Sequence, residues 1–126
     1  MATLLESIRT NKEDAFSAKE SAKTFAQHVE FWTTHGNIVI AREMLDQAFQ
    51  QCRQANLAAA LALNKTYNLH GREEQTGVRY AREALECYNL ALNFTSRANA
   101  IITNAIQNKS VQYPKGIGSY RELRFL

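Results

Sequence analysis

Val78, Ala81, Leu85, Tyr88, Leu92, Thr95, Asn99, Ile102 and Ile106 follow one another at alternating spacings of three and four. Beside them, Tyr80, Ala84, Cys87, Ala91, Phe94, Ala98, Ile101 and Ala105 form a second row with the same rhythm. One apolar row makes a surface helix, whereas two adjacent rows make a wide face that must be covered from two directions. The stretch from Glu73 to Asn108 therefore decides the fold. Its one weak point is Asn93 to Asn99, where Asn, Thr and Ser accumulate, residues that favour caps and turns over helix interiors. Both rows stay in phase through Phe94 and Ala98, so the period favours a single helix of about 36 residues, about 54 Å long. A break at Asn93–Arg97 is the alternative, and it places Arg97 on a turn between two helices.

Working outward, Asn37 to Leu69 contains neither Gly nor Pro. In it, Ile38, Ala41, Leu45, Ala48, Cys52, Ala55, Ala59 and Ala62 form a row of mostly small side chains that lets a neighbouring helix come close. The polar cluster Gln50-Gln51-Cys52-Arg53-Gln54-Ala55-Asn56 offers a second possible interruption. Upstream, Ala15, Ala18, Ala22, Phe25, Val29 and Trp32 repeat at three and four, and the helix they predict ends before His35-Gly36. Thr3-Leu4-Leu5-Glu6 has the form of a capping box, with a short helix expected to about Ile8 and Thr10-Asn11 capping the next. His70-Gly71 closes the middle segment. After Asn108 the helical pattern stops, and Tyr113-Pro114-Lys115-Gly116-Ile117-Gly118 is turn and extended chemistry.

The expected fold is all-α. It is an antiparallel bundle of three long helices, or four to five if they break near 53 and 95, with a short N-terminal helix and a non-helical C-terminal tail. Residues 1–108 form the bundle and residues 109–126 an extended basic and aromatic tail. A single proline and five glycines are too few for a sandwich or barrel. The longest uninterrupted apolar run, Leu57 to Leu63, falls far short of the roughly twenty residues a membrane span needs. The first residues lack a charged start and an apolar core, so no signal peptide is expected. Cys52 and Cys87 both lie on apolar helix faces and read as buried free thiols, which points to a reducing, cytoplasmic setting.

The net charge of +3 is unevenly placed. Residues 1–108 carry eleven Lys/Arg and eleven Asp/Glu, while residues 109–126 carry Lys109, Lys115, Arg121 and Arg124 against Glu122 alone. The tail reads as a solubilising segment or as an arm that meets phosphate or an acidic neighbour. Tyr120, Phe125 and Leu126 make its last residues sticky, so docking on the bundle or on a neighbouring subunit is expected.

Catalytic constellations are missing. His28, His35 and His70 lack the spacing of a helix-borne metal site, and no glycine-rich loop suggests a phosphate cradle, so no metal, cofactor or small-molecule substrate is expected. Glu83 and Glu86 share a helix face but read as solvated acids. A pocket gathering His28, Glu43 and Cys87 is the arrangement an enzyme would need. The reading is of a non-enzyme.

The segment Ala98-Asn99-Ala100-Ile101-Ile102-Thr103-Asn104-Ala105-Ile106-Gln107-Asn108, followed by Lys115-Gly116-Ile117-Gly118-Ser119-Tyr120 and then Phe125, resembles the last helix and following segment of coat proteins from rod-shaped plant RNA viruses of the tobacco mosaic type. The similarity runs ungapped from about Ala98 to Phe125, with fainter echoes upstream at Gln27-x-Val29 and Trp32, Leu45-x-x-x-Phe49-Gln50, Arg79-Tyr80 and Phe94-x-x-Arg97. The chain differs in having Leu126 where the family has Glu, in a much shorter link around Asn93–Asn99, and in an additional N-terminal helix. The resemblance implies a self-assembling subunit of a right-handed helical array, holding RNA by phosphate contacts. Within it Arg97 corresponds to an arginine set against RNA phosphate. Gln50 and Arg53 join it because they are polar, can hydrogen-bond phosphate and fall at the helix junction that a break near 53 creates. The alternative is a small dimeric helical interaction module that binds a partner protein or double-stranded RNA.

Overall fold

The computed structural model describes residues 2–112, with side chains described up to 108. Three helices account for nearly all of it: α1 from Leu4 to Thr34, α2 from Ile38 to Thr66 and α3 from Arg72 to Gln112. Each packs against the other two. Contacts fix an up-down-up course. Lys65 near the end of α2 donates to Ser7 Oγ and Asn11 Oδ1 near the start of α1, both at 2.7 Å. Lys12 of α1 pairs with Glu83 in the first half of α3 at 3.3 Å.

The N-terminus is one helix, which corrects the expected division near Ile8. Thr3 caps it as foreseen, its hydroxyl accepting from Glu6 N at 3.1 Å, a cap worth about 1 kcal/mol. Thr10, expected to cap a second helix, instead turns its hydroxyl back onto Glu6 O at 3.1 Å. Asn11, its expected companion, is buried in the bundle. The helix therefore runs straight through. At its far end Gly36 takes φ +79° and Gly71, between α2 and α3, takes +69°, so both turns sit where the sequence placed them.

Neither suspected break occurs in α2 or α3. In α2 the polar cluster faces outward: Gln50, Arg53 and Gln54 are exposed while Cys52 and Ala55 carry on the buried row. In α3, Asn93, Ser96 and Asn99 are exposed, and Thr95 is fully buried with its hydroxyl donating to Ala91 O at 2.9 Å. Polar residues at these positions line the solvent side of continuous helices or satisfy themselves against the backbone. α3 extends to Gln112, one turn past Asn108, and spans about 62 Å.

The buried positions obey one rule on every helix. They are Ile8, Asn11, Ala15, Ala18, Ala22, Ala26 and Val29 on α1; Ile38, Ala41, Leu45, Ala48, Cys52, Ala55, Ala58, Ala59, Ala62 and Thr66 on α2; and Gly77, Ala81, Ala84, Cys87, Ala91, Thr95, Ala98 and Ile102 on α3. Ala58 apart, the row on α2 from Ile38 to Thr66 alternates steps of three and four, which is the 3.5-residue period of a left-handed supercoil. The two apolar rows of α3 are not both covered, contrary to the reading of a wide buried face. The core seam runs between them, and Val78, Leu85, Leu92 and Asn99 lie outside it. Alanine is the reason. Helices that meet on alanine come close, and close helices bury a narrow seam.

Large side chains gather at the two ends. Ile8 and Leu69, with Leu4, Leu5 and Tyr80, close one; Val29, Ile38, Leu45 and Ile102, with Trp32, Phe49, Phe94 and Ile106, close the other. Between them lies a layer of Ala18, Ala22, Cys52, Ala55 and Ala91. A buried alanine methyl contributes under ~1 kcal/mol where a buried isoleucine contributes ~2–3, so the ends supply most of the hydrophobic stabilisation and the middle sets the spacing.

Candidate functional site

The middle layer carries one polar contact. Cys52 Sγ lies 3.1 Å from Thr95 Oγ1. Because the Thr95 hydroxyl already donates to Ala91 O, the thiol is the donor to Thr95. A hydrogen-bonded pair in an otherwise apolar layer favours one register of α2 against α3, since a slip leaves the buried Cys52 thiol without its acceptor while Thr95 keeps its bond to Ala91 O. Burial pushes the Cys52 thiol above its ordinary 9.0, against smaller lowering effects of the Thr95 bond and the Arg53 charge. Burial also raises Cys87, with Lys19 and Lys12 drawing it down and Glu86 and Glu83 pushing it up by lesser amounts. Both thiols stay protonated at neutral pH and are poor nucleophiles. Their folded values lie above the unfolded one, so their contribution to stability is whole below pH 9.0 and is lost as the pH rises beyond it. Urea midpoints measured from about pH 8 to about pH 10.5 are expected to fall more steeply for the natural chain than for Cys52→Ala/Cys87→Ala.

Of the residues nominated from the sequence, Arg97 lies mid-helix on α3, on no turn. It lines the groove between α1 and α3 together with Lys23, Gln27, Glu30, Phe94 and Ile101, above Ala26 and Ala98. Lys23 Nζ sits 5.8 Å from the centre of the Phe94 ring. Two cations thus share one groove with a single carboxylate, an arrangement that can meet a phosphate from the side of the bundle. Gln50 and Arg53 are exposed on the outer face of α2 and do not line this groove. They sit at no helix junction, because α2 has none there, and the three nominated residues do not converge. Lys23 is the one the sequence reading missed. Its position a row away from Ala22 and Ala26 gave no sign that it would face α3. Tyr120, Phe125 and Leu126, nominated for docking, lie outside the described residues.

His28 and Glu43 are exposed, His28 beside the Val29 cluster at one end, whereas Cys87 is buried in the cluster of Ile8 and Leu69 at the other. The three are not gathered. Among the described residues no group of three or more His, Cys, Asp or Glu could hold a metal ion, and no helix is long and apolar enough to cross a membrane.

An open apolar groove lies between α2 and α3. Ala59, Ala60 and Ala81 floor it, Leu63, Val78 and Leu85 wall it, and Asn56 and Arg82 stand at its rim. Leu63 and Leu85 are 51% and 50% exposed, and Leu92, one heptad beyond Leu85, is 37% exposed. Val78, Leu85 and Leu92 thus leave a line of partly open apolar side chains two heptads long on α3. Comparison with family models, with curated proteins and with solved structures found no match to this chain.

Proposed function

We propose that this chain is a non-enzymatic, self-assembling structural subunit of the coat or nucleocapsid kind, working in the cytoplasm and contacting RNA through phosphates. The observation that carries the reading is the open apolar line of Val78, Leu85 and Leu92 beside Leu63, which asks for a protein neighbour. The similarity of residues 98–125 to rod-shaped virus coat proteins supplies the class, and Arg97 with Lys23 supplies a place for phosphate. With α3 unbroken, phosphate meets Arg97 along a helix flank instead of at a turn.

Sedimentation velocity with and without single-stranded RNA, at low and high salt, tests this. Large RNA-dependent assemblies that dissolve as salt rises are expected. The Lys23→Glu/Arg97→Glu variant is expected to bind RNA at least tenfold more weakly and to reduce the salt slope by about two. A chain that stays monomeric at high concentration and ignores RNA at every salt sinks the proposal.

The second reading is a dimeric helical module that binds a partner protein or double-stranded RNA. The unbroken course of α3 favours it, because a continuous helix offers a groove of the kind that accepts another helix. Truncation before Tyr113 that leaves partner binding intact supports this module over the coat subunit.

A further inference from the structure

The apolar line on α3 is symmetric about its own middle. Val78 precedes Leu85 by seven residues and Leu92 follows it by seven, so the three lie along one face about 21 Å long. An antiparallel copy of the same helix, related by a two-fold axis at Leu85, sets Leu85 on Leu85 and Val78 on the second copy's Leu92. Such self-complementarity is what an isologous interface requires.

The charges beside the line obey the same symmetry. Arg82 and Glu86 are one turn apart on its outer flank, both exposed, and neither makes a salt bridge among the described residues. In an antiparallel pair, residues on one flank meet residues on the same flank of the partner helix. With the axis at Leu85, Arg82 of one copy lies about 3 Å along the helix direction from Glu86 of the second, within reach of its long side chain, and the symmetry makes this contact twice. Leu63 of α2 and the alanine floor widen the contact beyond a single helix. Resting on the self-associating reading above, we infer that two copies of this chain pair antiparallel through α3, with Leu85 at the centre and two reciprocal Arg82–Glu86 ion pairs at the flank. Larger assembly can use this dimer as its unit.

Sedimentation equilibrium of the full chain tests the pairing. Leu85→Asp is expected to weaken the dimer about a hundredfold, because two carboxylates meet at the centre. Arg82→Glu and Glu86→Arg each set like charges opposite one another twice and are expected to weaken it about tenfold. Combining both changes in one chain restores the dimer, and mixing the two single variants yields a one-to-one heterodimer. These positions are exposed, so circular dichroism melts taken at concentrations where the natural chain is monomeric are expected to be unchanged, and loss of folding does not mimic the result. Association that ignores Leu85→Asp and both charge reversals overturns the pairing while leaving self-assembly standing through another surface. A chain that is monomeric throughout overturns both.

Discussion

Ser96→Pro is expected to lower the stability of the bundle by about 3 kcal/mol or more. At roughly 3–6 °C per kcal/mol for a chain of this size, the melting temperature should fall by about 9–18 °C. Ser96 is exposed and its side chain packs on nothing that the fold needs, so the effect comes from the backbone. Proline removes the amide that reaches back one turn to the carbonyl of Leu92, and its ring collides with that carbonyl. The penalty exists only because α3 is continuous from Arg72 to Gln112. Had the chain turned at Asn93–Arg97, proline there would be tolerated. Ser96→Ala is the control, and it is expected to change stability by no more than about 0.5 kcal/mol, in the stabilising direction. Thermal melts followed by circular dichroism read both variants, and a melting point for Ser96→Pro within a degree or two of the natural chain would show that the helix yields at this position.

Ala91→Leu is expected to cost about 3 kcal/mol for a different reason. Ala91 is fully buried in the layer it shares with Ala18, Ala22, Cys52 and Ala55. Three added carbons have nowhere to go, because these neighbours are methyls and a thiol that cannot rotate aside. The helices must part, and parting breaks the Cys52–Thr95 hydrogen bond just beyond. The upper part of the usual overpacking range therefore applies. Ala100→Leu, on the exposed side of the same helix, is expected to stay within about 0.5 kcal/mol. Urea titration separates the two. Equal midpoints would mean that the middle layer has slack, and the account of alanine as the spacing element would fall.

The two variants bear on different links between sequence and structure. Helix continuity was legible in the period. Phe94 and Ala98 stayed in phase on either side of the Asn-rich stretch, and the chain folds accordingly. The N-terminal break expected near Ile8 misled because Thr10 and Asn11 are good caps in isolation. A threonine can equally bond back to the carbonyl four residues earlier, as Thr10 does with Glu6, and only the neighbouring helices, which bury Ile8 and Asn11, decide between the two. The candidate site was less legible. Arg97 was found by motif, but its partner Lys23 comes from a helix some seventy positions earlier, and no local pattern joins them. Gln50 and Arg53 were nominated on the strength of a junction that the structure does not contain.

The sequence by itself determined that the described residues form helices and no strand, and that glycines at 36 and 71 mark the turns, because these depend on interactions within a few residues. It also determined which row of α2 is buried, since every member of that row is apolar and no second row competes. On α3 two apolar rows competed, and only the tertiary structure chose. The small side chains of α1 and α2 draw the helices together, and closeness leaves room for Ala81, Ala84, Ala91 and Ala98 but not for the leucines. Val78, Leu85 and Leu92 are apolar by sequence, yet they are exposed because the bundle has no space for them. That displacement puts an open apolar line on the surface.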